Sequence, residues 1–367
     1  MPNQLQLPHG TISLPAFLPD GTQGVIRAID AQDALACRVQ AVQMNAFHLM
    51  QRPGSSTIQA LGGLHKMSSW SQPIFTDSGG FQIYSLIRQN SKFGRISSRG
   101  ATFRPQGSAR DFKLTPEKSV QLQLSYGSDV VICLDDCTHV DDPTAEQISS
   151  VQRTIQWARR CKDEYQRQIE VKDLVDGTRP LLIAVIQGGD SEDLRRQCAA
   201  ELLEIGFDGY GYGGWPLDGQ GNLLEDMLIL TRELVPPQYT LHALGVGHPL
   251  NVLSGAHIGY ELFDSTLPTR DARHGRLYSF TLNPAQDELQ GKGWYKFIYI
   301  NDKKHIKRNE PVSAFCDCPC CTHYSLGYLH HLFKINDHLY ARLATMHNLR
   351  FMTQLMGNIR LSIHDRA

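Results

Sequence analysis

Apolar runs that end in Gly, Asp, Asn or Gln recur through the first 270 residues of the chain: "LPAFLPDGTQG", "VQAVQMNAFHL", "PIFTDSGGFQ", "DVVICLDDCT", "PLLIAVIQGGD", "FDGYGYGGW", "TLHALGVGHP" and "YELFDSTLPTR". Several have the unbroken Val/Ile/Leu character of a strand buried on both faces. The text between them often has helical spacing, as in "AEQISSVQRTIQWARRCKDEYQRQ" after the fourth run and "SEDLRRQCAAELLEIG" after the fifth. Alternating strand and helix implies a parallel sheet, and eight repeats imply closure into a (β/α)8 barrel of the TIM type. An open, doubly wound sheet is the alternative.

A barrel places its chemistry at the C-terminal ends of the strands, where Asp77, Asp135, Gln187, Gly214 and Asp264 all fall. Each could separately be a turn former, because Asp and Gly after a strand are common. Five such ends around one mouth favour a site. Asp77, in "FTDSGGFQ", and Asp264, in "ELFDSTLPTR", suit an acid/base and nucleophile pair. Displacement at a sugar anomeric carbon needs one carboxylate to trap an oxocarbenium-like centre and a second group to handle the leaving group's proton. Two surface carboxylates are the bland reading. In "CLDDCT", a carboxylate of Asp135-Asp136 could accept two hydrogen bonds from the N–H edge of a guanine-like ring. Gln187 and the backbone after Gly213-Gly214 could meet its carbonyl edge, with Phe81 and Leu244 as stacking partners.

Composition changes this picture little. With 41% hydrophobic and 20% charged residues, the 367-residue chain reads as an ordinary globular protein. "MPNQLQLPHG" has no charged start followed by an apolar run, and no run is long enough for a bilayer, so a cytoplasmic protein is expected. A formal net charge of −1 gives no argument for a polyanionic partner. Residues 301–367, however, hold nine Lys/Arg against five Asp/Glu, a basic end compatible with RNA or with a solvated charged face.

Cysteine usage is uneven. Cys37, Cys133, Cys137, Cys161 and Cys198 are scattered singly, whereas Cys316, Cys318, Cys320 and Cys321 crowd into "AFCDCPCCTH". That distribution predicts buried thiols plus one metal cluster rather than disulfides. The neighbouring Cys320 and Cys321 would strain one tetrahedral site, which favours the C-x-C-x2-C set Cys316, Cys318 and Cys321. His323, His330 and His331 are nearby candidates for a fourth ligand.

Five motifs, "TDSGGFQ", "IQGG", "GVGHP", "FDSTLPTRDARHG" and "CDCPCCTHYSLGYLHHLFK", together resemble the tRNA-guanine transglycosylases, or queuine tRNA-ribosyltransferases, from about Gly21 to the C-terminal region. The resemblance implies a zinc-bearing barrel over residues 1–300, completed by a zinc-binding subdomain over 301–367. It implies exchange of guanine at the wobble position of tRNAs with a GUN anticodon for a 7-deazaguanine. By motif position, Asp264 matches the nucleophile that attacks ribose C1′, and Asp77 the general acid/base. Asp135, Gln187 and Gly214 match base-recognition positions, and Phe81 and Leu244 the stacking pair. Arg270 and Arg273 match arginines that contact the anticodon, and His347 the fourth ligand of a structural zinc ion. A dimer, most simply a homodimer, is also implied. A paralogue acting on DNA and a noncatalytic RNA-binding subunit are the competing readings, although the latter predicts loss of the nucleophile. The segment "GGWPLDGQG", residues 213–221, departs from the family's pattern in the loop facing the base's 7-substituent.

Overall fold

A computed structural model of the chain describes residues 3–104 and 111–364. Each of the eight apolar runs forms a strand: β1 Ala16–Pro19, β2 Val42–Asn45, β3 Ile74–Asp77, β4 Val130–Ile132, β5 Leu181–Ile186, β6 Gly209–Tyr212, β7 Thr240–Ala243 and β8 Leu262–Ser265. Neighbours are parallel, in the order β1-β8-β7-β6-β5-β4-β3-β2. Pairing of β1 with β8 brings the first and last strands together, which an open doubly wound sheet does not do. The seam between β1 and β2 carries a bridge, Asp20 to Gln43, and the Gly21 N–H donates to the Gln43 carbonyl at 2.7 Å.

The unbroken apolar text of the strands is explained by two apolar surroundings. Leu18, Phe75, Val130, Ile132, Ile183, Val185 and Leu262 form the barrel's inner cluster, while Val131, Leu182, Ala184, Ile186 and Phe263 belong to the larger cluster shared with the helices. An N-terminal hairpin, Gln4–Leu7 with Gly10–Ser13, adds Leu7 and Ile12 to the inner cluster. On this floor Asp129, just before β4, accepts from the Ile74 N–H at 2.8 Å and from the His9 N–H at 2.9 Å, fastening hairpin and strands together.

The predicted helices after the fourth and fifth runs are Thr144–Val171 and Glu192–Ile205, the latter capped by Ser191, whose side chain accepts from the Leu194 N–H. Two elements interrupt the alternation. A three-stranded antiparallel sheet (Gly94–Ser97, Gly100–Phe103, Phe112–Leu114) precedes β4, and a hairpin (Arg276–Phe280, Tyr295–Tyr299) follows β8. The last helix, His338–His364, packs against β1 and helix Leu267–Arg273. Its buried Asn348 fastens it there: Oδ1 accepts from the Tyr278 N–H at 3.1 Å, and Nδ2 donates to the Pro268 and Arg276 carbonyls at 2.9 and 3.0 Å. Among the described residues no helix is long and apolar enough to cross a membrane.

Candidate active site and metal centre

The C-terminal ends of the strands surround a cavity of about 520 Å³, lined among others by Asp77, Phe81, Asp135, Gly214, Leu244, Asp264 and Arg270. Seven of the nine residues expected to carry catalysis and substrate binding therefore meet in one place. Gln187 lies just behind Asp135, and Arg273 turns back onto its own helix, donating to the Thr269 carbonyl at 2.9 Å. Desolvation, reinforced by the neighbouring Arg27, lowers the Arg273 pKa.

Asp77 terminates β3 and is held from two sides. Its Oδ2 accepts from Asn45 Nδ2 at 3.0 Å and its Oδ1 from the Gly79 N–H at 3.1 Å. The turn that follows needs glycine: Gly79 has φ +82°, and a Cβ there would lie 2.5 Å from Phe47 Cβ. Burial, and then the charge of Asp264 across the cavity, push the Asp77 carboxyl well above the usual carboxylate range, against the opposing bonds from Gly79 and Asn45. Asp264, on β8, receives the Gly245 N–H on Oδ1 at 3.0 Å and lies 2.9 Å from His242 Nε2 through the same oxygen. Two carboxylates whose surroundings differ in this way can divide the roles of proton donor and nucleophile.

The third acidic element separates into two environments. Asp136 is buried and paired with Arg153 Nε at 2.5 Å, whereas Asp135 faces the cavity and accepts from Gln187 Nε2 at 2.6 Å. Burial pushes the Asp135 carboxyl up to about 6; the Gln187 bond acts against this, and the charge of Asp136 adds to it. Gln187 is fully buried, and its Oε1 has no hydrogen-bond partner among the described residues. Beyond it Gly214 has φ +89°, and a Cβ on Gly213 would lie 2.7 Å from the Gln187 amide. Arg195, fully buried, holds these strand ends by donating to the carbonyls of Ile186, Gly189 and Gly213 at 3.3, 2.9 and 3.1 Å, with its guanidinium 4.0 Å from the Tyr212 ring centre. Phe81 is 38% exposed and touches Trp215 of the divergent loop, ring centres 5.5 Å apart.

Three further residues at the site stand outside the expected set: Asp20 and Asn45, which line the cavity, and His242, which lies behind it against Asp264. Asp20 and Asn45 end the first two apolar runs, so the strand-end rule that selects Asp77 also covers them. His242 lies one position before the end of β7, and nothing in its neighbours marks it.

At the other end of the chain, the side chains of Cys316, Cys318, Cys321 and His347 converge, their ligand atoms all within 4.8 Å of one another. His347 Nδ1 lies 3.8 Å from Cys318 Sγ and 3.2 Å from Cys321 Sγ. Its Nε2 is 2.6 Å from the Tyr278 carbonyl, which can only accept, so the hydrogen is on Nε2 and the lone pair on Nδ1 points at the thiols. Three thiols and a correctly disposed imidazole fit a metal ion. Asp317 braces the knuckle by accepting from Arg350 Nε and Nη2 at 2.5 and 2.9 Å. Cys320 is outside the set; it is fully buried in the apolar cluster formed by Leu326, Leu329 and Leu343. His323, His330 and His331 are likewise outside it.

Comparison with known proteins agrees with this arrangement along nearly the whole chain. Residues 3–367 match the family described as queuine tRNA-ribosyltransferase. The chain is 35% identical over 361 residues to a queuine tRNA-ribosyltransferase of a Thermoanaerobacter species, covering 98% of this chain and 89% of that protein. It is 37% identical over 358 residues to one of a Psychrobacter species, at 97% and 88% coverage, and 36% identical over 362 residues to one of Shouchella clausii, at 99% and 88%. With its barrel, its strand-end carboxylates and its Cys3His cluster in place, the chain belongs to the queuine tRNA-ribosyltransferase family.

Proposed function

We propose that the protein exchanges guanine at the anticodon wobble position of tRNAs with a GUN anticodon for a 7-deazaguanine, through a covalent aspartyl-ribosyl intermediate. The observation that carries this reading is the meeting of Asp77 and Asp264 in one cavity with the Asp135–Gln187 pair. In the first half-reaction the Asp264 carboxylate attacks C1′ of the flipped-out nucleotide; the glycosidic bond breaks and guanine leaves with the proton supplied by Asp77. In the second, the incoming base gives its proton to Asp77 and displaces the Asp264 carboxylate. The high pKa of Asp77 suits it to begin as the acid. Asp135 accepts from the base's N–H edge, while Gln187 and the backbone at Gly214 meet its carbonyl edge. Phe81 and Leu244 stack on its faces. Arg270, exposed at the mouth, and Arg273 contact the anticodon nucleotides.

We further read the Cys3His cluster as a structural zinc site: all four positions are filled by protein ligands, and soft thiolates with an imidazole suit Zn²⁺. Residues 1–300 then form the catalytic barrel and 301–367 the zinc-bearing part that completes it. We expect a cytoplasmic homodimer.

The direct test is incubation of the purified protein with labelled guanine and unmodified GUN tRNA. Label should enter that tRNA and not one with another anticodon. Label entering DNA instead would support the paralogue reading, and label entering nothing would support a noncatalytic subunit; either overturns the proposal. The pocket also has a pH signature. Below about pH 6 Asp135 gains a proton and loses an acceptor site. Guanine affinity should therefore fall about tenfold per pH unit below that point. In Asp135→Asn, affinity should be lower throughout and the inflection lost. Equilibrium binding of guanine from pH 4.5 to 8 measures both.

A further inference from the structure

The two oxygens of Asp264 are not equivalent. Oδ1 accepts the Gly245 N–H at 3.0 Å and lies 2.9 Å from His242 Nε2, whereas no described donor engages Oδ2. His242 is fully buried on β7, with its ring edge-on to Phe75 at 6.3 Å between centres. Its Nδ1 is buried without a hydrogen-bond partner. A carboxylate oxygen can only accept, so the hydrogen of the neutral ring is on Nε2 and the bare lone pair on Nδ1.

We propose that His242 is a positioning residue that, together with the Gly245 N–H, selects Oδ2 of Asp264 as the attacking atom; this rests on the assignment of Asp264 as nucleophile. Without the imidazole the carboxylate keeps one donor on Oδ1 and is free to rotate about its Cβ–Cγ bond, presenting either oxygen to C1′. With both donors in place, Oδ1 is tied, and Oδ2, on a residue that lines the cavity, is the oxygen left unengaged. As the Oδ2–C1′ bond forms, the C1′–N bond to guanine breaks and its electron pair leaves with guanine, which takes the Asp77 proton. Oδ1 becomes the ester carbonyl and keeps both donors. In the return step the Oδ2–C1′ bond breaks, its electron pair returns to the carboxylate, and the two donors stabilise the charge reappearing on it. One imidazole thus serves both directions of a reversible exchange, and it touches neither substrate.

The test compares His242→Phe, which keeps the ring's bulk without its donor, with His242→Gln, which restores an N–H. Single-turnover formation of a denaturation-resistant protein–tRNA adduct should slow by roughly 10- to 100-fold in His242→Phe. KM for tRNA and for guanine should stay within about twofold, and His242→Gln should recover part of the rate. Wild-type adduct kinetics in a folded His242→Phe protein, or no recovery in His242→Gln, would overturn the proposal. So would a KM that rises in step with the loss of rate. Should the Phe variant not fold, nitrogen NMR of the wild-type protein decides: a His242 resonance showing hydrogen on Nδ1 and a bare Nε2 also overturns it. Asp264→Asn, run in parallel, separates the two levels. An adduct surviving in that variant removes the nucleophile assignment itself, whereas its loss together with an unaffected His242→Phe removes only the role of His242.

Discussion

Asp264→Asn should abolish the covalent protein–tRNA adduct and lower guanine exchange by at least about 10⁴-fold, while leaving the fold intact. The substitution is nearly isosteric, so the Gly245 N–H can still donate to the side-chain oxygen and β8 keeps its pairing with β1 and β7. On the proposed mechanism, what is lost is the anionic oxygen that would form the bond to C1′, since an amide oxygen is a far weaker nucleophile. The contrast with Asp77→Asn is informative. On the proposed roles that variant would retain the nucleophile but have no proton to give to departing guanine, so its adduct should form slowly rather than not at all, and its defect should shrink for a base that leaves more readily as an anion. Denaturing gel electrophoresis of enzyme incubated with tRNA, with and without added guanine, reads both. An adduct of normal yield in Asp264→Asn would place the nucleophile elsewhere in the cavity, with Asp20, also raised in pKa chiefly by burial, as the next residue to examine.

The barrel was legible because its strands are buried on both faces. Val130–Ile132 and Leu181–Ile186 have apolar side chains alternately toward the inner cluster and toward the helices, which leaves a continuous run in the sequence. Strand ends were legible for a related reason: a polar residue that closes such a run must sit at a mouth. What was not legible depends on neighbours distant in sequence. The three-stranded sheet over residues 94–114 is short, and exposed positions alternate with covered ones along Gly94–Ser97, so it leaves no long apolar run. Asp135 and Asp136 are adjacent in sequence, yet Arg153, 17 residues away, takes only the second and leaves the first to the cavity. His242 becomes meaningful only when β8 brings Asp264 alongside it, 22 residues later in the chain. Cys320, indistinguishable in the cysteine run from its neighbours, is set apart only by where its sulfur falls: those of Cys316, Cys318 and Cys321 converge with the His347 ring, and that of Cys320 is outside the set.

Removing the metal should cost more stability than any single side chain in the barrel. Free energy of about 10 kcal/mol or more accompanies binding of a structural zinc ion to thiolate and imidazole ligands, comparable to the whole stability of an ordinary domain. At the Cys3His cluster that energy would act where it matters, because His347 belongs to the same helix, His338–His364, whose Asn348 ties down the segment after β8 and which packs on β1. Chelation, or Cys318→Ser, should therefore lower the unfolding temperature by well over 10 °C, with loss of one equivalent of metal per chain, zinc on the proposed reading, measured by elemental analysis. Cys320→Ser provides the control within the same six residues. It places a hydroxyl in the cluster around Leu329 and Leu343, at a cost of about 1–3 kcal/mol, yet should keep the full equivalent of metal. Loss of metal in Cys320→Ser, or its retention in Cys318→Ser, would reassign the ligand set. Exchange activity should decline only in step with the unfolded fraction, since every reacting contact assigned above comes from the strand ends around Asp77 and Asp264, and the four protein ligands leave the ion no position open to substrate.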